Sequence, residues 1–320
     1  MHAIRQHRFG GPEVLVVEEV PDLEPGAGQA RIAVEASGVH LLDTSIRRGE
    51  QGPMPLPRLP TIPGREVAGT VDRLGPGVDQ DWLGRRVVAH LGPVPGGYAE
   101  QAVTKIDNLI RNPDPLSATD AVALVGTGRT ARGVLSEAAI GADDVVLIPA
   151  AAGGLGWLMV QSALRAGATV IAAAGGATKI KSLKRLNPDL VLDYGEPGWA
   201  DAIATPPTVV LDGVGGEIGR TALERLAPGG RMIMFGYSSG SPTWLTTEDL
   251  LGGSISASWA LGPRMAGRPG GIRALAEEAI ELGGRGEWRP LTTSYPLAEA
   301  ARAHRALEER QTLGKVVLVN

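Results

Sequence analysis

The stretch VVLIPAAAGGLGWLMVQSALRAGATVIAAAGG, residues 145–176, narrows the folds open to this chain more than any other. An apolar run ends in a knot of small residues. An apolar helical pattern follows, then a second apolar run. A strand, helix, strand order of this kind implies parallel strands joined by a crossover helix. Between the first strand and the helix, Ala151-Ala152-Gly153-Gly154-Leu155-Gly156 fits G-x-G-x-x-G with Ala in the first place. At such a turn Gly153 lets a pyrophosphate approach the backbone, and Gly156 lets the helix pack closely on the strand. The helix N-terminus adds free N–H groups and a positive dipole end. Glycines at strand-to-helix turns are common, but here the flanking elements supply the context that dinucleotide binding requires.

The second apolar run closes on Ala174, Gly175 and Gly176, where an NAD-selective fold usually carries an acid for the ribose hydroxyls. A carboxylate there would repel a 2′-phosphate, and its absence leaves room for one. Lys179 follows within a turn and offers that phosphate a cation, unless it and Lys181 are only solvated helix-face charges. NADPH is the expected cofactor.

The rest of the chain falls into two regimes. VLVVEEV, QARIAVEASGV, REVAGTVDRLG, RRVVAHLG and GYAEQAVTK read as short strands between Gly and Pro turns, which suits a compact β-rich domain. Ser117 with Asp120 three residues on marks a capped helix start. Beyond Gly141, strands expected at 145–149, 169–173, 190–193, 209–212 and 231–235 alternate with helical patterns, implying a doubly wound parallel sheet. Two amphipathic helices, GGIRALAEEAIELGG and LAEAARAHRALEERQ, precede a closing strand, GKVVLVN. The fold class is therefore α/β. A net charge of −4 with no dense basic cluster argues against a nucleic-acid partner. No apolar run is long enough to span a bilayer, and MHAIRQHRFGG lacks a signal peptide's apolar core, so a cytoplasmic protein without a membrane partner is expected. Cysteine is absent, which removes thiolate catalysis and Cys-ligated zinc.

In order along the chain, FGGPEVL, ASGVHLLDTSIRRG, PGREVAG, GGYAEQAV, AAAGGLG, DGVGG, LAPGGRMIMFG and GKVVLV give a sequence that resembles the zeta-crystallin-like quinone oxidoreductases of the medium-chain dehydrogenase/reductase superfamily. The resemblance implies a GroES-like β-barrel catalytic domain over 1–119, with 257–320 returning to it, and a Rossmann domain over 120–256. It also implies an active cleft between the two, and a homodimer. By position, Gly175, Lys179 and Tyr194 match the family's 2′-phosphate site, Thr130 the threonine beside the nicotinamide, and Phe235 and Gly236 the turn lining the cofactor. His40 stands where zinc-dependent relatives carry Cys, and Arg65 where they carry His. One imidazole beside a guanidinium is not a zinc site, so no metal is expected. Quinone oxidoreductases commonly have Asn at the position of His40, and some have Tyr at those of Ser45 and Gln51.

Without a metal the cofactor supplies the hydride, and the acceptor must be electron-poor: a quinone or an α,β-unsaturated carbonyl. The negative oxygen that results needs a donor or a cation. His40 is the candidate proton donor and Arg65 the candidate oxyanion partner, with Thr130 beside them. The competing reading has His40 bonding only a backbone carbonyl, and Arg65 pairing with Glu66 or Asp43. Asp43 is expected to order the VHLLDTSIRRG loop. Trp244, Trp259 and Trp288 either wall an aromatic substrate or pack in a core or interface. His90 and His304 are given no role. Three functions follow: an NADPH-dependent quinone reductase, an NADPH-dependent enone or enoyl double-bond reductase of biosynthetic type, and an NADPH-binding protein with little turnover.

Overall fold

A computed structural model describes residues 1–52, 55–92 and 95–320. The chain divides into two compact units, Met1–Thr127 with Ala279–Asn320, and Gly128–Glu278.

The first unit begins with the strands β1 (His2–Gln6) and β2 (Leu15–Glu19), an antiparallel pair. The barrel follows with β3 (Gln29–Val39), α1 (Leu41–Arg48), β4 (Glu66–Leu74), β5 (Arg86–His90), β6 (Gln101–Lys105), β7 (Leu109–Arg111) and α2 (Ala118–Val125). The expected loop at VHLLDTSIRRG is in fact the helix α1. Asp43 caps it by accepting the His40 N–H at 2.8 Å, and Gly49 ends it in the left-handed region at φ 81°. Ser117 caps α2 as expected, its hydroxyl accepting the Asp120 N–H at 3.0 Å. Alternating apolar residues of β3, β4 and β5 fill the barrel with Ile32, Val34, Val67, Val71, Val87 and Ala89.

The second unit runs α3 (Thr127–Ala138), β8 (Val145–Ile148), α4 (Gly154–Arg165), β9 (Thr169–Ala174), α5 (Ala177–Leu183), β10 (Leu190–Asp193), β11 (Val209–Asp212), α6 (Gly216–Glu224) and β12 (Arg231–Met234). It continues through α7 (Thr247–Gly253), β13 (Ser256–Trp259), α8 (Pro263–Ala266) and most of α9 (Gly271–Gly284). Six parallel strands lie in the order β10-β9-β8-β11-β12-β13. The order reverses between β8 and β11, the switch point where open α/β sheets bind ligands at their strand ends.

The chain then returns through β14 (Thr292–Pro296), α10 (Ala300–Glu308) and β15 (Lys315–Val319). β15 joins the barrel antiparallel to β3 and carries β14 parallel on its other side. Under α10 a second small core gathers Ile4, Tyr98, Ala303, Val316 and Leu318.

The two units meet the chain at other points than the expected 119/120 and 256/257. The helix α2 packs on β3, β4, β5 and β15, which keeps it with the barrel to Thr127. The strand β13 pairs with β12, so the return to the barrel begins at Ala279. Among the described residues no helix is long and apolar enough to cross a membrane.

Candidate active site

At the end of β8 the chain turns on Ala150, which takes a positive φ of 55°. Ala151 N–H donates to the Ala173 carbonyl at 2.9 Å and Gly153 N–H to the Ala150 carbonyl at 3.0 Å, so the turn is held by backbone alone. Gly153 is the N-cap of α4 and offers no side chain to it, leaving the first-turn N–H groups of Gly154, Leu155 and Gly156 to a ligand. A Cβ on Gly156 would stand 2.4 Å from the Ala150 oxygen, so only glycine lets α4 start this close to the strand. These residues fit a pyrophosphate.

The neighbouring loop after β11 rests on a fully buried carboxylate. Asp212 accepts from the Val214 and Gly215 N–H groups at 2.8 and 3.0 Å and from the Thr243 hydroxyl at 2.5 Å. Phe235 N–H donates to the Asp212 carbonyl at 2.9 Å, and Ser238 N–H to the Gly213 carbonyl at 3.1 Å. The Phe235–Gly236 turn is thereby laced onto the loop at the switch point.

At the end of β9, the ring of Tyr194 lies so close over Gly175 that a Cβ there would stand 2.9 Å from Tyr194 Cε2. Trp199 meets that ring edge-on at 6.4 Å. Lys179 is half-buried on α5. The acid missing from β9 has a counterpart one strand over. Asp193, at the end of β10, accepts the Gly176 N–H at 3.0 and 3.1 Å and the Gly195 N–H at 2.9 Å. Its lone pairs are occupied by backbone. Sequence reasoning missed it because it weighed only the strand that carries the ribose acid in NAD-selective folds.

In the barrel unit the polar groups are side chains rather than backbone. Asp43 joins His40 to Arg65: its Oδ2 accepts the His40 N–H, and its Oδ1 pairs with Arg65 Nη2 at 3.1 Å. Tyr98 donates to Asp43 Oδ2 at 3.2 Å, and its oxygen lies 3.2 Å from His304 Nε2. Burial pushes the Asp43 carboxyl up, but the charges of His40 and Arg65 outweigh it and leave the group below its ordinary value. Burial, with Asp43 beside it, drives the Tyr98 hydroxyl well above its usual range, so it stays a donor. Burial also lowers His304 to about 4 and keeps that ring neutral. Asp43 and Arg65 line a cavity of about 140 Å³ with Ile46, Thr61 and Pro63.

Beside this network His40 meets two more charged groups. His40 Nε2 lies 2.8 Å from Lys315 Nζ and 2.6 Å from Glu66 Oε2, which itself stands 3.1 Å from Nζ. The His40 ring therefore meets a carboxylate of β4 and an ammonium of β15, not the backbone carbonyl considered for it. The Nε2 edge that a metal would take is occupied by these two side chains. Among the described residues no cluster of three or more His, Cys, Asp or Glu side chains is placed to hold a metal ion. This donor set does not fit zinc.

Of the remaining candidates, Thr130 lies half-buried on α3, in the other unit from His40 and Arg65. Trp288 is core, whereas Trp244 and Trp259 are exposed, the latter beside Tyr237 at 6.3 Å.

Comparison with known proteins agrees with this architecture. Residues 26–149 match the alcohol dehydrogenase GroES-like domain, and residues 186–318 match the zinc-binding dehydrogenase model. A 2-haloacrylate reductase of a Burkholderia species is 32% identical over 98% of this chain and 97% of its own. A quinone oxidoreductase of Pseudomonas aeruginosa is 31% identical, covering 97% of each. The crystal structure of Escherichia coli quinone oxidoreductase complexed with NADPH superimposes with a TM-score of 0.87 at 30% identity, covering 100% of both chains. A GroES-like barrel interrupted by a six-stranded parallel sheet, matched end to end in this way, defines a medium-chain dehydrogenase/reductase. Within that class the chain belongs to the quinone-oxidoreductase-like family.

Proposed function

We propose that this protein is an NADPH-dependent reductase of quinones that works without zinc. The observation that carries the cofactor reading is the uncapped N-terminus of α4 at the switch point of the sheet. NADPH, when bound, supplies the hydride. Gly153, Gly154, Leu155 and Gly156 hold its pyrophosphate, with Ala151 fixing the turn. Gly175, Lys179 and Tyr194 take the adenosine 2′-phosphate, while Phe235, Gly236 and Thr130 line the nicotinamide end. The E. coli relative, solved with NADPH, supports the choice of cofactor.

His40 passes a proton to the reduced acceptor, and Arg65, held in place by Asp43, faces the oxyanion. The cavity beside Arg65 is close to the roughly 150 Å³ that accommodates a benzene ring, which suits a single-ring quinone or a short enone.

A second reading, reduction of an activated carbon–carbon double bond, is favoured by the Lys315–His40 contact. An enolate needs a proton delivered on site, whereas a hydroquinone anion can take one from water. The Burkholderia relative is named for such a substrate, a 2-haloacrylate. Following NADPH oxidation with benzoquinone, naphthoquinone and a short enone, before and after prolonged chelation, tests both readings. Benzoquinone turnover that survives chelation is expected. A rate lost to chelation and restored by zinc, or no turnover with any acceptor, would overturn the proposal.

A further inference from the structure

The chain leaving β12 makes the Phe235–Gly236 turn and then runs over the surface to α7. Among residues 237–246, Thr243 is the one that is buried. Its hydroxyl donates to Asp212 Oδ2 at 2.5 Å, while Oδ1 of the same carboxylate accepts the Val214 and Gly215 N–H groups. The main chain of Asp212 is engaged as well, its carbonyl accepting the Phe235 N–H at 2.9 Å. One fully buried residue therefore grips both ends of the segment 235–243.

Between those ends the segment lies along the turn after β11. Ser238 and Ser239 N–H groups donate to the Gly213 and Val214 carbonyls at 3.1 and 2.8 Å, and Gly216 N–H donates to the Ser241 carbonyl at 2.9 Å. The approach is close: at Gly215, with φ 71°, a Cβ would overlap the Ser241 oxygen. From the other side α6 leaves room for the clasp. A Cβ on Gly219 would overlap Thr243 Oγ1 and stand 2.7 Å from Asp212 Oδ2. The backbone bonds could form with almost any side chains. The Thr243–Asp212 bond is the part of this seating that the residue types specify.

We propose that Asp212 and Thr243 are positioning residues that set the Phe235–Gly236 turn for the nicotinamide half of NADPH. This rests on the reading of that turn as lining the nicotinamide end. Both side chains are buried and act through the backbone they hold. The pyrophosphate and the 2′-phosphate are assigned to the loops after β8 and β9, on the other side of the switch point. Loosening the clasp is therefore expected to weaken the hold on the nicotinamide half and to spare the adenosine half.

Thr243→Val keeps the branched shape and removes the hydroxyl, leaving Asp212 Oδ2 buried without that donor. Its affinity for NADPH should fall about tenfold. Its affinity for adenosine 2′,5′-bisphosphate, which has the 2′-phosphate but no nicotinamide, should match the wild type. Thr243→Ser restores the hydroxyl and should recover NADPH binding. Gly219→Ala reaches the clasp from the helix side, where its methyl displaces the Thr243 hydroxyl, and should give the same split between the two ligands. That variant keeps the test open if Thr243→Val does not fold, because alanine favours a helix. Wild-type NADPH affinity in both variants would overturn the proposal. An equal loss for both ligands would do so too, since the clasp would then be a general support of the sheet. A wild type that does not bind NADPH removes the cofactor reading itself. Normal wild-type binding with no split in the variants removes the clasp's role alone.

Discussion

The two halves of the candidate machinery are built from opposite materials. The loops of the parallel sheet present backbone: N–H groups at an uncapped helix, small residues at Ala151–Gly156, and a buried Asp212 that holds two backbone N–H groups and the Thr243 hydroxyl. The barrel presents side chains in charged pairs, His40 with Lys315 and Glu66, and Asp43 with Arg65. A backbone site has no proton to give but tolerates a large polyanion at close range. A buried side-chain site holds protons and charge in fixed places and takes little else. The difference suggests a division of labour, with binding strength residing in the first and proton supply in the second.

The largest expected effect lies on the proton side. His40→Ala should lower enone turnover about 10²–10⁴-fold, the range for loss of a general acid. Quinone turnover should fall less, and His40→Asn, which keeps a donor, should recover the quinone rate in particular. Equal rates for wild type and alanine variant with both acceptors would leave His40 a structural residue.

Next in size is a stability effect of the barrel's buried charges. His304 is held at about 4 in the folded protein against an ordinary 6.5, so the unfolded chain binds a proton that the native one refuses. Stability contributed by the neutral ring is therefore complete above pH 6.5 and is lost as pH falls towards 4, by about 3 kcal/mol. Urea midpoints measured across that window should drop steeply for the wild type and less for His304→Gln. Parallel slopes would mean that the ring is not buried neutral.

The smallest effect belongs to the sheet's outer loop. Lys179→Ala should weaken NADPH about tenfold to a hundredfold, the worth of one charged hydrogen bond of roughly 1.5–3 kcal/mol. NADH should be unaffected. An equal affinity of the wild type for both cofactors would remove the 2′-phosphate from this loop.

The same contrast explains what could be read from the chain. The parallel strands are apolar runs closed within two residues by proline or glycine, so β8 to β12 lie within a residue of their expected limits. The strand β13 was invisible: Ser-Ala-Ser-Trp is short and half polar because it forms the edge of the sheet. The helix α1 reads as a loop in the sequence because its start is marked by His40 and Asp43 rather than by a hydroxyl cap. In the barrel the missing information is pairing. Lys315 lies 275 residues from His40, and Tyr98 lies 206 from His304, distances over which no local pattern speaks. Family position nominates His40 and Arg65, and Asp43 stands as one of two candidate partners for Arg65, but nothing in the sequence brings Lys315 to His40.

The division of labour is tested most directly by measuring NADPH affinity and enone kcat side by side in His40→Ala and Lys179→Ala. The expected result is a clean crossing: the first variant loses turnover with NADPH affinity unchanged, and the second loses affinity with kcat at saturation unchanged. A His40→Ala protein that binds NADPH as poorly as it turns over, or a Lys179→Ala protein that is slow even when saturated, would contradict it.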